Sequence, residues 1–402
     1  MYDFDTYIDR SNTGAIKWNR RPAHIKEAGF VPLSVADMEF AVAPPIREAL
    51  AAAVEHGIYG YTDPDERYYS SVTHWMKKRH AWDAEPEWIV CTGGVVPAIL
   101  TAIRAFTRPG DGVIFQPPVY YPFASGIRAN DRKAIENPLI LKDGKYQIDF
   151  EDLRAKASDT RTKLLLLCSP HNPVGRVWTR EELVTLGDIC AENGVLIISD
   201  EIHFDVVFPP YRHTVFATLG DSYAQNSIVC TSTNKTFNLA GLTISNIIIQ
   251  NPAIRRVFKT QLAADGFSNM NYFALPATIA GYTQAEDWFD ALLRYIEQNY
   301  LLFVEKMAEI APDVHVFPME GTYLAWTDWR RLGLTPKQLE DLLLHKAGLA
   351  LDSGGIFGTG GEGFERFNLA VPQSVLAESL QRLQRAIPGN GTLSTGSQIY
   401  SY

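Results

Sequence analysis

Residues capable of chemistry follow several apolar runs of the sequence, at the points where those runs stop. The runs read WIVCTGG, GVIFQPP, TKLLLLCSP, VLIISDEI and SIVCTSTN. Ligands of open parallel sheets bind beyond the carboxyl ends of the strands, so these endings are the places to search. They supply a glycine turn, an aromatic ring, an amide, a carboxylate and an amine: Thr92-Gly93-Gly94, Tyr120, Asn172, Asp200 and Ser232 to Lys235. We expect these groups to share one rim of a sheet.

Each of these residues taken alone also has an ordinary structural explanation. The glycine turn opens a helix, whose N–H groups could hold a phosphate, but helix-opening glycines are common. Asp200 could cap a helix, join an ion pair or face a cationic ring nitrogen. Lys235 could be a solvated lysine or a nucleophilic amine with a lowered pKa. Taken together, they meet the requirements of pyridoxal phosphate: a Schiff-base lysine, a carboxylate, a phosphate cradle and a stacking ring.

Longer stretches carry a family resemblance over nearly the whole chain. They are DRSNTGAIKWN, VADMEF, YGYTDP, CTGGVVPAI, PPVYYPF, SPHNPVGRVW, SDEIHFD, NKTFNLAGL, GTYLAWTDWRRLGL and GGEGFERFNLAVP. With them the chain resembles the fold type I pyridoxal-phosphate enzymes. The stretches SDEIHFD and NKTFNLAGL favour the aminotransferase-like cystathionine β-lyases and related C–S lyases over ordinary aminotransferases.

The resemblance implies a role for each residue at the rim. Lys235 would bind the cofactor covalently and then move the Cα proton. Asp200 would keep the pyridine nitrogen protonated, and Tyr120 would stack on the ring. Asn172 would donate to the ring oxygen beside the substrate, and Arg366 would clamp the substrate carboxylate, since a guanidinium can make a bidentate pair.

The resemblance also implies a phosphate site and an assembly. Gly94 and Val95 would bind the phosphate through their amides, and Ser232 through its hydroxyl. Tyr61 would reach the phosphate of the other subunit, so we expect a homodimer with active sites at the subunit interface. His203 is either a structural histidine or a partner of the residues around the cofactor.

The chain must fold so that these residues are positioned together. Short apolar runs separated by helix-length segments predict an α/β fold with a mostly parallel sheet covered on both faces. We expect an N-terminal arm at 1–45 that joins a small domain and a large cofactor-binding domain at 46–285. A smaller α+β domain at 286–387 and a weakly structured tail at 388–402 would follow.

Composition excludes several classes of function. The chain has 402 residues and a net charge of -9, without a cluster of Lys or Arg, so we expect no nucleic-acid partner. Its four cysteines and nine histidines fit no metal-ligand spacing. The start MYDFDTYIDR lacks the features of a signal peptide, and no apolar run is long enough to cross a membrane. These features predict a cytoplasmic protein without a metal ion.

The expected reaction is β-elimination from an L-cysteine S-conjugate such as cystathionine, giving a thiol, pyruvate and ammonia. Two alternatives remain. An aminotransferase would use the same residues with a 2-oxo acid acceptor, and a non-catalytic regulator could share the fold. The chain departs from the expected family pattern at Thr233-Asn234, where we expect smaller residues, and at Gln373, where arginine is frequent. Both departures suggest an altered substrate pocket.

Overall fold

The apolar runs form strands in the computed structural model, which describes residues 2–19 and 23–387. The predicted tail at 388–402 lies outside the described residues. The strands are β1 (Val31–Pro32), β2 (Ile89–Thr92), β3 (Gly112–Phe115), β4 (Lys133–Glu136), β5 (Ile140–Lys142), β6 (Lys145–Gln147), β7 (Thr162–Cys168), β8 (Leu196–Asp200), β9 (Ser227–Thr231), β10 (Ser245–Ile248), β11 (His315–Val316), β12 (Leu324–Asp328), β13 (Leu349–Ala350), β14 (Asp352–Ser353) and β15 (Phe364–Asn368).

The helices occupy the segments between most of these strands. They are α1 (Ile16–Asn19), α2 (Ala23–Ala28), α3 (Pro44–His56), α4 (Glu66–His80), α5 (Val95–Phe106), α6 (Pro122–Ala129), α7 (Phe150–Ala157), α8 (Arg180–Glu192), α9 (Asp221–Gln225), α10 (Thr233–Thr236), α11 (Pro252–Ala264), α12 (Ala274–Gln284), α13 (Glu286–Ile310), α14 (Pro336–Glu340) and α15 (Gln373–Ala386). The sequence explains where several of these helices begin or end. Gly57 closes α3 with a left-handed φ of 74°, and Thr179 with Glu182 forms a capping box that opens α8.

The largest sheet has seven strands in the order β2-β10-β9-β8-β7-β3-β4. Strand β10 runs antiparallel to both of its neighbours, and the other pairings are parallel. The predicted α/β fold with a mostly parallel sheet is therefore confirmed. Strand β4 was not predicted, because its sequence KAIE lies at the sheet edge and carries charges at both ends.

Both faces of this sheet are buried, as continuous apolar strands require. Alternate residues of β7 separate onto the two faces. Leu164 and Leu166 belong to a core with α5 and α11, whereas Leu165 and Leu167 belong to a core with α7 and α8. The sheet is thus held between two layers of helices, and its strand ends keep a fixed order.

A second sheet lies in the C-terminal part of the chain, in the order β11-β12-β15-β14 with antiparallel pairings. The N-terminal segment attaches to this part of the chain, because β1 pairs in parallel with β13, Val31 opposite Leu349. The long helix α13 precedes it and ends before Pro312, as its sequence predicts. The domain limits remain a prediction; the one at residue 46 falls within α3.

Candidate functional site

The carboxyl ends of the parallel strands open onto a cavity of about 280 Å³. The order of the strands arranges the lining residues along it, from the end of β2 at one side to the end of β3 at the other. Residues predicted from the sequence to act together line this one cavity: Gly94, Val95, Tyr120, Asn172, Asp200, Lys235 and Arg366. The structure therefore brings seven predicted residues into one site.

Lys235 lies in the short helix α10, directly after the end of β9. Ser232 caps this helix by accepting a hydrogen bond from the Asn234 N–H. The Lys235 Nζ donates to the backbone carbonyl of Ala36 at 2.6 Å. Removal of water from the amine lowers its pKa to about 8, and the carboxylate of Asp37 acts in the opposite direction. A larger fraction of this amine is therefore neutral near pH 7 than of an exposed lysine, and the neutral amine can act as a nucleophile or base.

Asp200 ends β8 and is 4% exposed. The Ile202 N–H donates to its Oδ1 at 3.2 Å. Among the described residues, no lysine, arginine or histidine lies within ion-pair distance of its carboxylate. Burial raises the pKa of Asp200 to about 7, while the Ile202 N–H and the Lys235 charge oppose this rise. An unpaired buried carboxyl group is a ready partner for a cationic ligand atom.

Arg366 lies at the small-sheet side of the cavity and is 5% exposed. Its guanidinium donates to Asn172 Oδ1 at 2.7 Å, pairs with the carboxylate of Asp352, and lies 4.8 Å from the Phe357 ring centroid. The same Asp352 carboxylate accepts from the Val35 N–H at 2.9 Å. These contacts fix the orientation of the guanidinium, as bidentate recognition of a carboxylate requires.

Tyr120 and the glycine turn lie at opposite ends of the rim. Burial raises the pKa of Tyr120 to about 12, so the phenol stays protonated at neutral pH. Its N–H donates to the carbonyl of Asn172 at 3.1 Å, which joins two predicted site segments. Gly94 has a φ of 133°, a conformation that a residue with a side chain rarely adopts, and it precedes the first residue of α5, Val95. The N-terminus of α5 therefore points its N–H groups toward the cavity end.

The structure does not bring two of the predicted residues into the lining. Ser232 is 0% exposed, and its hydroxyl donates to the carbonyl of Ile244 at 2.6 Å. Tyr61 is 96% exposed on the surface. The phosphate contacts expected of these two residues stay predictions.

The sequence alone assigns no role to several residues of the lining, which are Val35, Ala36, Thr243 and Asp352. Asp352 lies opposite Arg366 in the pairing of β14 with β15. Only that register reveals the ion pair, because nothing in the local sequence joins the two residues. His203 also lines the cavity, and its Nδ1 is buried without a hydrogen-bond partner among the described residues. Burial holds the pKa of His203 well below its usual value, so the ring is neutral.

Two features of residues 2–19 and 23–387 bear on the chemistry. No group of three or more His, Cys, Asp or Glu side chains in these ranges is arranged to hold a metal ion. Every helix of the described chain is too short or too polar to cross a lipid bilayer. The cavity instead offers an amine, a buried carboxyl, a guanidinium and a helix N-terminus. This set could hold a cofactor that carries a carbonyl, a basic ring nitrogen and an anionic group.

Known proteins resemble the chain over nearly its full length. The family "Aminotransferase class I and II" matches residues 28–383. Cystathionine beta-lyase PatB of Bacillus subtilis (strain 168) is 41% identical over 385 residues, which cover 96% of this chain and 100% of that protein. Cystalysin from Treponema denticola, whose crystal structure contains a pyridoxal 5'-phosphate cofactor, is 44% identical with a TM-score of 0.91, covering 96% of this chain and 98% of that one.

A third similar protein is the pyridoxal-phosphate-bound C-S lyase from Staphylococcus hominis. It is 32% identical with a TM-score of 0.89 and covers 96% of this chain and 98% of its own. The family resemblance predicted from the sequence is thereby confirmed. The chain belongs to the class I and II aminotransferase family.

Proposed function

We propose that the protein is a pyridoxal-phosphate-dependent carbon–sulfur β-lyase. It would cleave L-cystathionine or other L-cysteine S-conjugates to a thiol, pyruvate and ammonia. The observation that carries this proposal is the shared cavity of Lys235, Asp200 and Arg366, at the strand ends of a chain 41% identical to a protein named cystathionine beta-lyase. The chemistry of these three side chains matches the three tasks of the reaction, which are proton transfer, control of the cofactor ring and binding of the substrate carboxylate.

The residues present fit the cofactor. Lys235 offers an amine whose pKa is lowered to about 8, and Asp200 offers a buried carboxyl without a cationic partner among the described residues. A pyridine nitrogen facing Asp200 would supply the missing positive charge. The N-terminus of α5 offers donors for the phosphate. When bound, the cofactor supplies an electron sink for the charge that develops at Cα.

The side chains of the chain perform the remaining steps. The Lys235 Nζ removes the proton from Cα as a general base, which typically contributes about 10²–10⁴-fold. Asp200 would hold the ring nitrogen in its protonated form through an ion pair. The carbon–sulfur bond then breaks, and the sulfur departs as a thiolate, a tolerable leaving group with a conjugate-acid pKa of about 8.5. Water hydrolyses the released aminoacrylate to pyruvate and ammonia.

Binding of the substrate carboxylate falls to Arg366, held by Asn172 and Asp352. Two parallel N–H···O bonds to a carboxylate fix the direction of the Cα–H bond relative to Lys235. Asn172 would also donate its amide hydrogens to the ring oxygen, while its Oδ1 accepts from Arg366. Asn172 would in this way connect the cofactor to the substrate clamp.

The active unit is proposed to be a homodimer in the cytoplasm. The exposed apolar side chains of Ile58, Tyr59 and Tyr61, with exposures of 70%, 53% and 96%, support a surface that a second subunit covers. Tyr61 would donate to the phosphate bound by the other subunit. The four unpaired cysteines are compatible with a reducing compartment. Sedimentation of the holoenzyme tests the assembly, and a monomer with full activity would contradict it.

A direct assay separates the lyase from the aminotransferase alternative. Purified holoenzyme is incubated with cystathionine without any 2-oxo acid, and pyruvate is measured. The lyase releases pyruvate under these conditions, whereas an aminotransferase forms product only when an acceptor is added. Lys235→Ala should lose both the activity and the visible absorbance of the lysine-bound cofactor. Activity that persists in Lys235→Ala would contradict the proposed role of this amine.

A further inference from the structure

Asn234, which immediately precedes Lys235, has a side-chain amide without a hydrogen bond. The residue is 8% exposed and lines the cavity, and its Oδ1 is buried without a partner among the described residues. None of these residues accepts a hydrogen bond from its amide nitrogen either. Unpartnered buried amides are costly, so this one is poised for a ligand. Turning the amide exchanges oxygen and nitrogen without moving the rest of the side chain, so either atom can face the cavity.

The strand register places Asn234 toward the end of the cavity that the N-terminus of α5 faces. Strands β2, β10 and β9 are neighbours, with Ser245 opposite Thr92 and Asn246 opposite Thr231. Gly94 follows the end of β2 by two residues, and Asn234 follows the end of β9 by three. The loop residue Thr243, which precedes β10 between them, also lines the cavity. Asn234 and the N-terminus of α5 therefore lie toward the same side of the cavity.

Apart from Lys235 itself, no lysine or arginine of the described residues is available to this end of the cavity. In the described part of the chain, Lys235 and Arg366 are the only lysine or arginine side chains that line the cavity. Arg366 is engaged by Asp352 and Asn172 at the other side. The first turn of α5 is also short of donors, because its third residue, Pro97, has no N–H. An anion bound here needs a further donor.

Ser232 is poorly suited to be that donor. Its single hydroxyl hydrogen is directed to the carbonyl of Ile244 at 2.6 Å, while its oxygen accepts from the Asn234 N–H at 3.0 Å. Both contacts hold the turn that presents Lys235. We propose that the side-chain amide of Asn234 donates to the phosphate of the cofactor, together with the N–H groups at the start of α5.

The inference rests on the proposed cofactor, and it assigns Asn234 to cofactor retention rather than to the substrate pocket. A hydrogen bond to a charged group stabilises a complex by an amount that corresponds to about tenfold to hundredfold in Kd. Asn234→Ala removes the donor and leaves a residue with a better helix propensity in α10, so folding should be preserved. Asn234→Asp keeps the shape but places a negative charge beside the phosphate.

The test compares pyridoxal phosphate with pyridoxal, which lacks the phosphate. Each is titrated into full-length protein freed of cofactor, and quenching of tryptophan fluorescence gives the Kd. For pyridoxal phosphate, Asn234→Ala should raise the Kd by about tenfold or more, and Asn234→Asp should raise it further. The Kd for pyridoxal should stay unchanged in both variants. Inorganic phosphate should compete with pyridoxal phosphate more weakly in Asn234→Ala than in the unsubstituted protein.

The binding measurements distinguish an error in the role of Asn234 from an error in the proposed cofactor. If both variants change the two Kd values by the same factor, or change neither, Asn234 does not hold the phosphate. If the unsubstituted protein binds neither compound, the proposed cofactor itself is wrong. Thermal unfolding of the cofactor-free variants checks the fold, and Asn234→Ser provides a second variant, with an expected Kd between those of Asn234 and Asn234→Ala.

Discussion

The amine of Lys235 donates a hydrogen bond of 2.6 Å to the carbonyl of Ala36, 199 residues earlier in the chain. The hydroxyl of Tyr323 donates to the same carbonyl at 2.8 Å. The N-terminal segment, the end of β9 and the start of β12 thus meet at one oxygen atom. The segment around Ala36 is therefore part of the site, and the charges that hold it in place should affect both stability and the properties of the amine.

Lys17→Met should strongly destabilise the protein. Lys17 is 1% exposed, and its Nζ lies 2.8 Å from carboxylate oxygens of both Asp37 and Glu39. Loss of the buried cation leaves two carboxylates less compensated, which typically costs about 3–5 kcal/mol. Urea unfolding measures the change. Lys26→Met serves as the matched control, since Lys26 is exposed and should change the free energy of unfolding by less than about 0.5 kcal/mol.

Asp37→Asn and Lys17→Met should shift the pKa of Lys235 in opposite directions. In the cofactor-free protein burial lowers this pKa to about 8; Asp37 and Asp200 raise it, whereas Arg366 and Lys17 lower it. Covalent uptake of pyridoxal phosphate needs the neutral amine, so its rate should rise with pH through about 8. The midpoint should move to lower pH in Asp37→Asn and to higher pH in Lys17→Met. If the midpoint moved in the same direction in both variants, the substitutions would instead have disturbed the whole segment around Ala36.

Much of this arrangement could be predicted from the sequence. The parts that could not be predicted have one physical reason in common. The apolar run of β7 is buried on both faces and is recognisable by itself, as are the residues that follow it. The charged edge strand β4 has no such pattern. The pairing of Asp352 with Arg366 and the contact of Lys235 with Ala36 depend on strand register and on the path of a distant segment. Local sequence contains neither.

Asp200→Asn should abolish the lyase activity but stabilise the cofactor-free protein at alkaline pH. Burial raises the pKa of Asp200 from 3.8 to about 7. The folded protein then holds this proton more tightly than the unfolded chain, so the contribution of Asp200 to the free energy of unfolding falls as pH rises from about 4 to about 7. The variant should be more stable than the unsubstituted protein at about pH 8, by up to about 4 kcal/mol, and similar at about pH 4.

Urea unfolding of both cofactor-free proteins at the two pH values measures this effect. A variant that is less stable at both would show that the Asp200 carboxylate is compensated by other groups. The holoenzyme should behave in the opposite way, because the proposed ring cation stabilises the ionised carboxylate of the unsubstituted protein. Comparison of the two forms therefore reports on the charge facing Asp200.

Arg366→Lys should raise the KM for cystathionine by about tenfold to hundredfold and leave the absorbance of the bound cofactor unchanged. The guanidinium contacts Asn172 and Asp352 while presenting its remaining N–H groups to the cavity. An ammonium group is a point charge, and it cannot keep both contacts and also form a bidentate pair with a carboxylate. Steady-state pyruvate release gives KM and kcat. Arg330→Lys is the matched control, because Arg330 also pairs with a carboxylate, that of Asp328 at 2.7 Å, but lies outside the cavity. Equal losses in both variants, or a loss in kcat alone, would mean that Arg366 does not bind the substrate carboxylate.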